Sequence, residues 1–402
     1  MTRQAAVSQD DVRRHNLGRL LRLLHVRGAT SRARLTALTG LNRSTVGALT
    51  TELVEAGLVR ESTPPGRGRA GRPSIVVEPE SERTFTLAID LGVEHVIAAR
   101  IGLGGVVYDR REIRHPQSEN DVDRTVGSVH ALLQSMLASA PKNSTCVGVG
   151  VGIAGVVGVD DNVVRFAPNL RWVDVPLGSM LSERLDGRLP VVVGNDGDVG
   201  ALAEHVRGAA EGMSDVIYLS GEVGVGGGII IGGQPLLGAS GYAGEIGHMS
   251  VNPINGRLCR CGRRGCWETE IGEEAVLLAT GTPAGTDLAD VLAAHAAGDQ
   301  RVIDGMKPVG QWLGVGVANL VNVFNPEMIV FGGATRGIFA ATEASTRKAL
   351  RSALTAPRDQ VRLKTAALGA DSTVIGAGEL AFAPLLENPM TALGGGRARL
   401  NA

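Results

Sequence analysis

The chain has no lysine in its first eighty residues, only four cysteines in 402, and no apolar stretch resembling a membrane span. Each shortage excludes something. Four cysteines, with Cys146 isolated in a strand-like run, make no disulfide framework. The absence of any C-x-x-C pair argues against thioredoxin-like redox chemistry. The opening MTRQAAVSQDDVRRHN has no apolar signal core, so the expected setting is cytoplasmic with no membrane partner. A net charge of −1 means that any nucleic-acid surface must be local. A dinucleotide fingerprint is missing too: the glycine-rich GEVGVGGG at 221–228 lies between two apparent strands, not between a strand and a helix.

What is present is unevenly spread. Residues 1–80 hold thirteen arginines against seven acids, a balance of +6. Such asymmetry points to a nucleic-acid end on an acidic body. From Val12 to Leu24, Leu17, Leu20, Leu21 and Leu24 fall on one helical side. Ser31 can cap a second helix through Leu38, Gly40 permits a tight turn, and Asn42 can cap a third helix. On that third helix Val46, Leu49 and Leu53 face inward, while Arg43, Ser44, Thr45 and Ala48 lie near its outer N-terminal side. This is how a recognition helix meets a major groove. Gly57 ends the helix, LVRE starts a strand, and PPGRGRAGRPSIVVEP fits a hairpin wing. Arg67, Arg69 and Arg72 at the wing's tip or flank are placed for phosphates or a minor groove. The expected domain is a winged helix-turn-helix over 1–80 that reads double-stranded operator DNA. The competing reading is a protein-binding helical domain with solvated arginines.

From Thr84 the texture becomes that of an α/β body, with strands ending in glycines and helices between them. A helix is expected near Val122–Ala138, and long helical stretches over Gly272–Ala297 and Val302–Val323. Two halves opening with glycine-rich strand hairpins suggest two similar lobes. The expected division is a first lobe over 84–200, completed by a C-terminal helix at 372–388, and a second over 201–371. Three of the four cysteines sit with His248, Glu245 and Glu268 in an insert at 244–268, GEIGHMSVNPINGRLCRCGRRGCWE. Three cysteines, a histidine and two glutamates so close together could serve a metal, redox chemistry or a site for something else. Idle, the thiols would lie beside Arg260, Arg263 and Arg264, which should lower their pKa and make them reactive.

Eight stretches carry a resemblance. They are AIDLG at 88–92, GVGIAG at 150–155, APNL at 167–170, ND at 195–196, GVGGG at 224–228, GEIGH at 244–248, CRCGRRGCWE at 259–268 and NLVNVFNPEMIVFGG at 319–333. In these the chain resembles the ROK family of sugar kinases and sugar-responsive repressors, whose body has the actin/hexokinase-like fold. The N-terminal winged helix resembles the repressor branch. The resemblance implies one structural zinc on His248, Cys259, Cys261 and Cys266. It implies a monosaccharide or sugar derivative held by Asn195, Asp196, Glu245, His248 and Glu268, with Gly155 and Asn169 lining the pocket. It also implies a homodimer or dimer of dimers. A polyol needs several acceptors at converging hydroxyls, which carboxylates and an amide supply.

In phosphorylating members Asp196 would be the base beside the sugar hydroxyl. The first phosphate loop of such members resembles D-x-G-x-T, whereas this chain has Asp90 and Gly92 followed by Glu94 and His95. The second loop has Glu222 and Val223 where a hydroxyl donor is expected. A carboxylate facing a triphosphate is unfavourable. Both departures point away from ATP and magnesium, hence toward a sensor, with a sugar kinase retaining a DNA-binding domain as the alternative.

Overall fold

The computed structural model describes residues 8–63, 74–114, 121–221, 224–394 and 398–399. Three helices open it: α1 (Gln9–Arg27), α2 (Arg32–Thr39) and α3 (Arg43–Glu55). Ser8 and Asp11 form a capping box on α1. Ser31 accepts from Arg34 N–H at the start of α2, and Asn42 accepts from Thr45 N–H at the start of α3. Gly40 closes α2 in the left-handed region at φ 72°. The inward leucines and Val46 are fully buried. Strands β1 (Thr30–Ser31), β2 (Val59–Ser62) and β3 (Val76–Pro79) make a small antiparallel sheet in the order β1-β3-β2. That is a winged helix-turn-helix, with the arginine-rich tip at 64–73 outside the described residues.

The α/β body follows. Strands β4 (Thr84–Leu91), β5 (His95–Gly102) and β6 (Val107–Arg114) form an antiparallel meander. Helix α4 (Val122–Ala138), strand β7 (Thr145–Ile153) and the short strands β8 (Val156–Val157), β9 (Val164–Ala167) and β10 (Trp172–Val175) come next. Helix α5 (Leu177–Arg184), strand β11 (Val191–Asn195) and helix α6 (Asp196–Arg207) follow, then β12 (Val216–Gly221), β13 (Val225–Ile231) and β14 (Gln234–Pro235). Strands β15 (Met328–Phe331) and β16 (Arg362–Thr365) complete a five-stranded sheet ordered β14-β13-β12-β15-β16. The other large sheet is ordered β11-β7-β4-β5-β6, with β17 (Ala398–Arg399) on β7. Every residue of β4 is buried, as a strand covered on both faces requires. Cys146 on β7 is a buried thiol, pushed up to about 12 by burial.

By internal contacts the chain forms two units, one of residues 1–152, 175–193 and 377–402, the other of 153–174 and 194–376. This differs from a division at residue 200. The reason is packing: α6 lies directly on the second sheet, Gly200 against the Tyr218 ring and Gly228 against the Gly197 carbonyl. Gly272–Ala297 is also not one helix. It holds Glu273–Thr280 and Leu288–Ala296, separated where Gly281 adopts φ 62° ahead of Pro283. Trp267–Ile271 precedes them as a short helix. The helix Gln300–Phe324 covers the predicted 302–323. The Ser372–Glu387 helix begins in the second unit and ends in the first. No helix among the described residues is long and apolar enough to cross a membrane.

Candidate functional site

Two regions carry chemistry. In the first unit, α3 turns Arg43 and Ser44 outward, leaves Thr45 half-buried and exposes Ala48. The Asn42 carboxamide oxygen holds this end by accepting from Thr45 N–H and the Ser44 hydroxyl, each at 2.8 Å. Nearby arginines are partly neutralised: Arg13 pairs with Glu52 at 2.6 Å, and Arg32 and Arg60 each donate through Nε at 2.8 Å, to Glu61 and Glu78. Arg43 is in none of these pairs. Arg67, Arg69 and Arg72 lie outside the described residues.

In the second unit, β11 ends at Asn195 and α6 begins at Asp196. The Asn195 oxygen accepts from Gly197 N–H at 2.8 Å and Asp198 N–H at 3.2 Å, and its amide nitrogen donates to the Gly155 carbonyl at 2.9 Å. Asn195 is thus the α6 cap and the latch on the Gly155 turn, which leaves one amide hydrogen for a ligand. Asp196 stands in the first turn of α6 with Asp198 close behind. Sequence reading missed Asp198. Burial, then Asp196 and Glu245, push its carboxyl up to about 7. Burial also raises Glu245, with His248 opposing and Glu268 adding to the rise. Four carboxylates therefore interact around this end of α6: Asp196, Asp198, Glu245 and Glu268.

The segment bearing Glu245 and His248 is set by close backbone approach. A Cβ at Gly247 would come within 1.8 Å of the Val225 carbonyl, so only glycine fits beneath the turn. The knuckle is threaded by Cys259 N–H to Arg263 O at 2.7 Å and Gly262 N–H to Cys259 O at 2.9 Å. Its end is nailed into the core by Trp267, whose Nε1 donates to Trp312 O at 2.9 Å. His248, Cys259, Cys261 and Cys266 offer four donor atoms within 4.8 Å of one another. Cys261 and Cys266 sulfurs are 3.5 Å apart, and Cys259 sulfur lies 3.7 Å from His248 Nδ1. Tetrahedral zinc with bonds of about 2.0–2.3 Å needs donor separations of roughly 3.3–3.8 Å; these two pairs meet that, and the four donors together are compatible with such an ion once they draw in from their widest separation. The use of Nδ1 on this side leaves Nε2 for another partner.

The arginines do not act on these thiols as the sequence suggested. Burial, then a hydrogen bond to Glu268 at 2.8 Å, raise Cys259, and burial raises Cys266. At Cys261 burial raises the pKa, but the Arg263 backbone and hydrogen bonds with Cys259 and Cys266 outweigh it and lower the thiol. Arg260 reaches instead to Asn169, Nη1 donating to Oδ1 at 3.0 Å. The residues Gly155, Asn169, Asn195, Asp196, Glu245, His248 and Glu268 all belong to this one unit. At the other loop, Gly92 N–H donates to His95 O at 3.0 Å, and Glu94 is exposed at the turn. Glu222 lies outside the described residues.

A family model described as the ROK family matches residues 86–383. The xylose repressor of Caldicellulosiruptor bescii is 32% identical over 320 residues, covering 75% of this chain and 78% of that protein. The glucokinase of Halalkalibacterium halodurans is 32% identical over 320 residues, covering 75% of this chain and 95% of that protein. The crystal structure of a ROK family transcriptional regulator, a homologue of the E. coli MLC protein, superposes with TM-score 0.80 at 25% identity over 95% of this chain and 99% of that one.

Proposed function

The chain belongs to the ROK family, whose members are transcriptional regulators and sugar kinases on an actin/hexokinase fold, and on that footing we propose that it is a sugar-responsive repressor. One observation supports this reading: a capped helix presenting Arg43 and Ser44 in a winged helix-turn-helix stands in the same chain as a ROK body with interacting carboxylates. Arg43, Ser44 and Thr45 read base edges, while Arg67, Arg69 and Arg72 hold phosphate or minor groove. The protein acts as a homodimer or dimer of dimers, so that two recognition helices address two half-sites.

Asp196, Glu245 and Glu268 accept from the hydroxyls of a monosaccharide, and Asn195 and His248 donate to it through the amide hydrogen and the ring Nε2–H left to them, with Gly155 and Asn169 at the pocket wall. A pentose or hexose such as D-xylose or D-glucose is the class suggested by the names of the relatives. His248, Cys259, Cys261 and Cys266 hold one structural zinc, which couples the knuckle to folding and fixes the arm that carries Arg260. Glu94 and Glu222 stand against ATP–magnesium binding, so Asp196 serves as a sugar acceptor and not as a base. The experiment is a thermal-shift and duplex-binding screen with D-xylose and D-glucose, each with and without ATP–magnesium. A sugar that shifts melting and weakens duplex binding without ATP supports the reading. Accumulation of sugar phosphate with unchanged duplex affinity gives the kinase alternative its place.

A further inference from the structure

Two buried glutamates stand on or beside one helix, Ser372–Glu387. Glu204 lies on α6, two turns beyond Asp196, and is fully buried. Its carboxylate accepts from Ala209 N–H at 2.8 Å, Ala367 N–H at 3.0 Å, Leu368 N–H at 2.9 Å and the Ser372 hydroxyl at 3.0 Å. Ser372 is the first residue of the helix Ser372–Glu387. Two turns along, Glu379 is also buried, and its Oε2 lies 2.8 Å from Nε2 of His25 on α1. His25 Nδ1 accepts from Gly104 N–H at 2.9 Å, which leaves the ring proton on Nε2 to be donated to Glu379. The His25 ring sits 4.8 Å from that of Phe382 on the same helix. Farther along, α1 lies on the helix's last turn: a Cβ at Gly18 would fall 2.5 Å from the Glu387 carbonyl. A buried carboxylate needs every lone pair answered, so neither end of the Ser372–Glu387 helix can shift without carrying its partner or losing bonds.

We propose that Glu204, Ser372, Glu379 and His25 are positioning residues that pass sugar occupancy at the α6 N-terminus to α1 of the winged helix through the Ser372–Glu387 helix. None of them touches sugar or DNA. The inference rests on the regulator reading and names how that regulation works. A displacement of α6 on sugar binding pulls on Glu204, and the helix delivers it to the head by the His25–Glu379 bond and the Gly18 contact. Coupling of this kind is a difference in energy between two states, so it is measured as a ratio of affinities, not as either affinity alone.

The test uses the full chain and the duplex that the sugar-free protein selects from a random-sequence library. D-xylose and D-glucose are the probes. Duplex affinity is measured with and without saturating sugar for wild type and for His25→Leu/Glu379→Met, a paired change that keeps the site filled while removing the bond. Wild type is expected to lose at least tenfold in affinity with sugar. The double variant is expected to lose under twofold, with sugar affinity within threefold of wild type. If the double variant fails to fold, Ser372→Ala serves, expected to cut the sugar effect to under threefold. A variant that binds sugar and keeps the full wild-type ratio overturns the relay. A wild type with no sugar effect on duplex affinity for either probe overturns the regulator reading, and the relay with it.

Discussion

Arg260 donates to Asn169 across 3.0 Å, joining the knuckle that carries Cys259 and Cys261 to the APNL turn. That bond ties the His248, Cys259, Cys261 and Cys266 cluster to the turn proposed to line the sugar pocket. Replacing Arg260 by Ala removes the tie and leaves all four metal donors in place. Sugar affinity should fall by about threefold to tenfold, the worth of one charge-assisted hydrogen bond holding a wall residue. Zinc content should stay at one per chain by elemental analysis. Cys261→Ser should lose both zinc and sugar binding, because a structural zinc contributes to folding of the loop that bears it. Retention of sugar affinity in zinc-free protein would separate the two roles.

Asp198 makes stability depend on pH in a defined direction. Its folded carboxyl is raised to about 7 from an ordinary value of 3.8, by burial first and by Asp196 and Glu245 next. Below pH 4 both folded and unfolded chains hold the proton, so the group has no effect. Between about 4 and 7 the unfolded chain releases the proton while the folded chain keeps it, so stability falls as pH rises. Above 7 the penalty is complete. Asp198→Asn should therefore stabilise the sugar-free protein at pH 8 by an amount on the order of 1–3 kcal/mol, and by little at pH 4. Urea midpoints at the two pH values measure it. Equal effects at both would assign the change to packing.

At the DNA end, Arg43→Ala should alter which duplexes are selected, with a loss of about 1–3 kcal/mol at the positions it reads. Single replacements of Arg67, Arg69 or Arg72 should weaken all duplexes alike and lower the salt slope by about one per lost phosphate contact. Binding that does not vary with salt would contradict both assignments. Cys146 offers a control: buried and raised to about 12, it should resist thiol reagents in the native chain and react only on unfolding.

Local rules were readable from the sequence. Ser31, Gly40 and Asn42 each sit where their side chain or φ demands, because a cap is decided within three or four residues. The His248–Cys266 cluster came from the resemblance to the ROK family, and the fold brings its four donor atoms together. What escaped was decided by distant partners. Asn195 reads as a pocket residue, yet most of its hydrogen bonds go to α6 and to Gly155, 40 positions earlier. Arg260 answers Asn169, 91 positions away, and not the thiols beside it. Glu204, Asp198 and the His25–Glu379 pair draw their meaning from burial, which no periodicity announces. The break at Gly281, two residues ahead of Pro283, is a local signal that the expected stretch over Gly272–Ala297 passes over.

The central claim is that sugar occupancy alone changes DNA binding. The most direct measurement is duplex affinity of the purified full chain titrated with D-xylose and D-glucose, with and without ATP–magnesium, while sugar phosphate is assayed in the same tubes. The account expects one sugar to weaken the duplex at least tenfold, equally with and without ATP, with no sugar phosphate formed. Asp196→Asn should bind the sugar-free duplex normally and need more sugar for release. Duplex affinity that ignores every sugar that binds, beside sugar phosphate that forms with wild type and vanishes with Asp196→Asn, would contradict it.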